Sequence, residues 1–186
     1  TAYGLVDGMI LPLTFEVYKP RERLKDQEEY QSKPQIAATM IRQLQAMGFV
    51  FELGLADSLD GESKVNFVNV LDELKLPYIL AIRSNHALWL PQEQEVIQEP
   101  WQEFKRTFSK GTSETRYMAE VIYGQRHHKQ YWLLTTDPDT LPANSTSFVM
   151  VAAPFVKLQE IGDHYGFRTW IEYGLKQAKD ALGWAD

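Results

Sequence analysis

The residues best suited to do chemistry lie between Tyr165 and Lys179: a phenol, an arginine, a glutamate and two lysines. Ile171, Leu175, Ala178 and Leu182 recur at the three- and four-residue steps of an apolar stripe, which predicts a helix. At about 100° per residue, Arg168, Glu172, Lys176 and Lys179 share a second, polar face. Tyr165 joins that face if the helix starts early enough. One carboxylate then sits among three cations and a phenol. Two-metal phosphodiester chemistry needs this pairing: a hard oxygen ligand for the cations and positive donors for the neighbouring phosphates. Spacing alone fits an ordinary Glu172–Lys176 salt pair on an exposed helix at least as well, contributing about 0.2–0.5 kcal/mol.

A second carboxylate follows an apolar run. Residues 49–56, Phe-Val-Phe-Glu-Leu-Gly-Leu-Ala, read as a buried strand ending at Asp57-Ser58-Leu59-Asp60-Gly61-Glu62. Open sheets place ligands beyond the carboxyl ends of their strands, which is where Asp57 falls. Taken alone, Asp57 is better read as a helix cap or turn residue.

Together the two stretches resemble a known family. Tyr165-x2-Arg168-x3-Glu172-x6-Lys179 fits without gaps the signature around the last acidic residue of the DDE transposases of bacterial insertion sequences. Leu55-Ala56-Asp57-Ser58-x-x-Gly61 looks like the segment bearing their second aspartate. The resemblance covers nearly the whole chain. It implies a DNA endonuclease that cleaves and joins strands at insertion-sequence ends, with two Mg2+ ions for which Mn2+ can substitute.

The resemblance assigns catalytic and metal-binding roles to Asp57 and Glu172. It gives Tyr165, Arg168 and Lys179, with Lys176 on the same face, to the DNA backbone. Glu172 and Lys179 are about 10 Å apart along a helix axis at 1.5 Å per residue, so Lys179 suits a phosphate away from the scissile one. The implied partners are element-end and target DNA and a second copy of the protein. The family usually carries an aromatic residue, most often Tyr, at the position of Asp60. The extra charge is therefore expected beside the metal site. A first aspartate is expected ahead of Thr1. Starting at Thr1 rather than Met, the chain reads as a fragment that is inactive by itself. Two alternatives stand beside this reading: a non-catalytic DNA- or protein-binding remnant, and another two-metal nuclease on the same fold.

Composition sets the outer bounds. A chain of 186 residues that is 44% hydrophobic and 24% charged suits one globular unit with a real core. The absence of cysteine excludes disulfides, thiolate metal sites and cysteine nucleophiles. A net charge of −6 argues against the whole surface binding nucleic acid but leaves room for a local basic groove. No apolar run approaches a membrane span and no signal peptide is visible, so a cytoplasmic protein is expected.

The elements that must position these residues are predicted as follows. Asp7-Gly8 joins two strands, Tyr3–Val6 and Met9–Val17, as a hairpin on a sheet edge, with Pro12 marking an edge or a bulge. Residues 19–31 form a charged loop. A helix capped by Ser32 or Lys33, opened by Pro34 and closed by Gly48 buries Ile36, Met40, Ile41, Leu44 and Met47. A second helix from Ser63 buries Phe67, Val68, Leu71 and Leu74, and Tyr78–Ile82 is a strand. Glu99–Phe108 reads as a short helix. Strands follow near Thr115–Tyr123, Gln130–Thr136 and Ser147–Ala152, and Gln125–Lys129 is an exposed basic turn touching DNA. Adjacent His127 and His128 lack the third ligand of a zinc site. The sum is an α/β chain: a ribonuclease H-like core over 1–86 and 156–186, with a β-rich insertion over 87–155 before the last helix.

Overall fold

The computed structural model describes residues 1–84, 94–95, 98–108, 111–124, 129–157 and 160–168. Glu172, Lys176, Lys179 and the turn residues 125–128 lie outside the described residues.

A hairpin opens the chain. Strands β1 (Ala2–Val6) and β2 (Met9–Thr14) are antiparallel. Asp7 and Gly8 both have positive φ, 50° and 76°, the signature of a type I′ turn. The register slips at Leu13, beside Pro12, so Pro12 marks a bulge as its missing N–H requires. The hairpin forms its own two-stranded sheet and does not extend the main one, a correction to the expected edge position.

Helix α1 (Lys33–Ala46) starts with a reciprocal capping box between Ser32 and Gln35, has Pro34 in its first turn, and is followed by Gly48 at φ 92°. Ile36, Ala38, Met40 and Leu44 are buried, whereas Met47 is exposed, against expectation. The expected strand over 49–56 shrinks to β3 (Gly54–Ala56). Val50 is 92% exposed, and the Phe49 and Phe51 rings stack on each other outside the sheet. Hydrophobicity there reflects local packing after a helix end, not sheet pairing.

Helix α2 (Ser58–Gly61) follows, then a π-helical stretch (Lys64–Val68) running into α3 (Asn69–Glu73). Strand β4 (Tyr78–Ile82) is buried along its whole length. It pairs parallel with β3 and antiparallel with β9 (Ser147–Ala152). The main sheet runs β3-β4-β9-β8-β7, where β7 is Ser113–Gly124 and β8 is Gln130–Thr135. Strands β5 (Gln94–Glu95) and β6 (Gln102–Thr107) share the outer edge of β7.

The expected ribonuclease H-like class, a mixed sheet flanked by helices, is present. Strands β6–β9, from the stretch expected as an insertion, belong to the same sheet as β3 and β4. The helix expected at Glu99–Phe108 is strand β6 instead. Phe104 and Arg106 point inward at period two, and a buried arginine hides that alternation in a hydrophobicity pattern.

The alternation of β4 divides the core. Ile79 and Ala81 face one cluster with Phe104, Trp132, Val149 and Ile161. Tyr78, Leu80 and Ile82 face the other, with Ala38, Phe67 and Leu71. Thus α1 and α3 cover one side of the sheet. The described helical residues 160–168, here α4, cover the other side.

Candidate active site

A cleft of about 470 Å³ opens where β3 and β4 end. Asp57 and Ser58 contribute from the β3–α2 junction, Ser84 from beyond β4, Leu141, Thr146 and Ser147 from the β8–β9 connection, and Tyr165 and Arg168 from α4. The sequence places Asp57 and Arg168 far apart, and the sheet brings them to one site.

Asp57 is held locally. It is the N-cap of α2, and its Oδ1 accepts a hydrogen bond from the Leu59 N–H at 2.9 Å. The cap reading of this residue is therefore correct as far as one oxygen goes. The side chain is exposed at the cleft, so capping and service as a hard oxygen ligand are compatible. Gly61 sets how closely α2 lies on β4. A Cβ there would stand 2.0 Å from the Ala81 carbonyl oxygen. The glycine of the Asp57-Ser-x-x-Gly61 stretch is thus a packing requirement.

Asp60 does not join Asp57 in the cleft. It lines a second, largely apolar cavity of about 200 Å³ with Tyr3, Leu13, Met40, Leu44, Phe67 and Leu71. Burial pushes its carboxyl up to about 6, the Asp57 charge adds to the rise, and the Thr1 amino group opposes it. The expected extra charge at Asp60 feels Asp57 but lines the other cavity. An aromatic side chain at this position would meet apolar walls.

On the far wall, α4 is fixed to β6 at successive points. A Cβ on Gly162 would stand 2.1 Å from the Phe104 ring, and one on Gly166 would stand 3.0 Å from Arg106 Nε. Between them, the Thr107 N–H donates to Asp163 Oδ1 at 3.2 Å. Tyr165 is only 9% exposed and packs in the core, and the Arg168 guanidinium lies 5.5 Å from its ring centroid. Tyr165 therefore packs in the core while also bordering the cleft beside Arg168.

The third wall is pinned by hydroxyls. Thr135 pairs with Thr146 at 2.9 Å and Thr136 with Ser145 at 2.6 Å, while Asp137 accepts from Asp139 and Thr140. These residues and the Gly162/Gly166 pair were missed in the sequence, and Gly61 was read only as part of the aspartate segment, without its packing role. Glycines at i and i+4 on a helix that packs on a sheet were the available signal. At the base of the expected basic turn, Lys129 reaches inward, donating to Asp72 Oδ2 at 2.9 Å.

As a metal site, the cleft offers Asp57 with the hydroxyls of Ser58 and Ser84, a donor set that suits a hard divalent cation. Among the described residues, no group of three or more His, Asp or Glu comes together as a metal cage.

Comparison with known proteins decides the family. Residues 9–110 match the family model described as DDE superfamily endonuclease. The chain belongs to this family. Such endonucleases generally use divalent metal ions. Over all 186 residues this DDE endonuclease chain is also 53% identical to the "Probable transposase for insertion sequence element IS701" of Microchaete diplosiphon. It spans 49% of that relative's length. The family match includes Asp57. Tyr165 and Arg168 lie beyond it, within the stretch similar to the IS701 relative. Among the described residues, no helix is long and apolar enough to cross a membrane.

Proposed function

We propose that this chain carries part of the catalytic apparatus of an insertion-sequence transposase, which cleaves element-end DNA and joins it to a target. The observation that carries the reading is the shared cleft: Asp57 and Arg168, from the two stretches that resemble the transposase signature, line the same space.

In this reading Asp57 and Glu172 hold Mg2+, with Mn2+ as a substitute. Bound divalent ions supply the charge that activates the attacking oxygen and stabilises the leaving one. Arg168, with Lys176 and Lys179, engages backbone phosphates and sets the strand's register. Tyr165 supports Arg168 through its ring face. The β-rich stretch 87–155 supplies the third wall through the β8–β9 connection. The whole transposase acts as a homodimer in the cytoplasm.

The test is made in a full-length transposase of this sequence. Asp57→Ala and Glu172→Ala are expected to abolish Mg2+-dependent nicking of element-end DNA while DNA binding persists. Nicking that survives either change refutes the assignment.

A further inference from the structure

A buried arginine that the signature does not include lies directly beneath it. Arg106, on β6, is 9% exposed, and its guanidinium lies 5.0 Å from the Phe108 ring centroid. Its Nε would be 3.0 Å from a Cβ on Gly166, the residue that follows Tyr165 in the Tyr165-x2-Arg168 turn. A side chain there would press on the guanidinium, which would have to give by a few tenths of an ångström. The adjacent contacts, Gly162 on Phe104 and Asp163 on the Thr107 N–H, fix the register of α4 on β6.

We propose that Arg106 is a positioning residue for Arg168, setting the height and orientation of the Tyr165–Arg168 turn at the cleft; this rests on the DNA reading of that face. Arg106 is too buried to reach a phosphate itself. Its charge bears on the same group of residues: burial depresses its proton affinity most, Arg116 and Arg168 depress it further, and Glu114 and Tyr165 oppose them. Glu114 pairs with Arg116 beside it.

The experiment is a double-mutant cycle on binding of a short labelled duplex by the full chain, with melting temperatures measured in parallel. Arg168→Ala and Arg106→Met are each expected to weaken binding about tenfold, the worth of one charge-assisted contact. Together they should weaken it no further, because Arg106 acts through Arg168. Gly166→Ala, which presses a methyl onto Arg106, should reproduce the loss if Arg106→Met folds poorly. Multiplying losses, or wild-type binding by both Arg106→Met and Gly166→Ala, overturns the proposal. Wild-type binding by Arg168→Ala instead overturns the DNA reading of the face.

Discussion

Asp57 and Arg168 line one cleft, the first from the end of β3 and the second from α4 on the opposite side of the sheet. The strand alternation of β4 makes this possible, because it gives each helical layer its own core while both layers reach the carboxyl ends of β3 and β4. A cation at Asp57 and a phosphate at Arg168 would share one space, which gives the two stretches a common physical task.

The first prediction concerns metal. A divalent ion that binds only the folded chain stabilises it, by about 2.7 kcal/mol at a hundredfold excess over its Kd. Mg2+ and Mn2+ should therefore raise the melting temperature of the wild-type chain. The rise should disappear in Asp57→Asn and in Glu172→Gln. An equal rise in all three proteins, read by thermal denaturation, removes Asp57 and Glu172 as ligands.

Gly61→Ala is expected to be severely destabilising. Alanine normally favours a helix over glycine by about 1 kcal/mol. Here its Cβ would meet the Ala81 carbonyl oxygen at 2.0 Å, and overpacking costs about 1–3 kcal/mol, more where rigid backbone is the obstacle. The clash wins. Urea unfolding should show a markedly lower midpoint, and a midpoint at or above wild type contradicts the close approach of α2 to β4.

Asp60 gives the protein a pH dependence of known sign. Its carboxyl is pushed up to about 6 in the fold and stands near 3.9 when unfolded. The folded state therefore holds the proton more tightly. The associated stability is fully present below about pH 4 and is lost as pH rises through 6. Asp60→Asn should raise stability by about 1–2 kcal/mol at pH 8, after discounting for the solvent that reaches this half-buried group, and by little at pH 4. A benefit that is independent of pH contradicts the burial argument.

Strand cleavage by the 186-residue chain alone is expected to be absent. In-line displacement is supported at both the attacking and the leaving oxygen by two clamped ions. The reading supplies two carboxylates, Asp57 and Glu172, and no group of three acids or histidines forms a site among the described residues. Incubating purified chain with Mn2+ and a labelled duplex should leave it intact. Nicking that disappears in both Asp57→Ala and Glu172→Ala would show that another acid completes the site.

Much of this was legible in the sequence because the signals were local. Asp7-Gly8, the Ser32 cap with Pro34, and the strands around Tyr78–Ile82, Gln130–Thr135 and Ser147–Ala152 each follow from turn chemistry or unbroken apolar runs. What failed depended on distant partners. Strand β6 read as a helix because β7, which pairs with it, and the buried role of Arg106 are tertiary facts. Val50 looked like core because nothing local reveals that the sheet starts at Gly54. In the site, Asp57, Tyr165 and Arg168 were found through resemblance. Gly162 and Gly166 passed unnoticed, and Gly61 was noticed only as a motif position, since the backbone and side-chain atoms they pack against lie on other strands.

The central claim, that one metal-dependent site joins the Asp57 segment to the Tyr165–Lys179 segment, is tested most directly by Mn2+ paramagnetic broadening of amide resonances. The account predicts that substoichiometric Mn2+ broadens the amides around Asp57–Gly61 and Tyr165–Arg168 together, and that Glu172→Gln abolishes both effects. Broadening confined to one segment, or unchanged in Glu172→Gln, would contradict it.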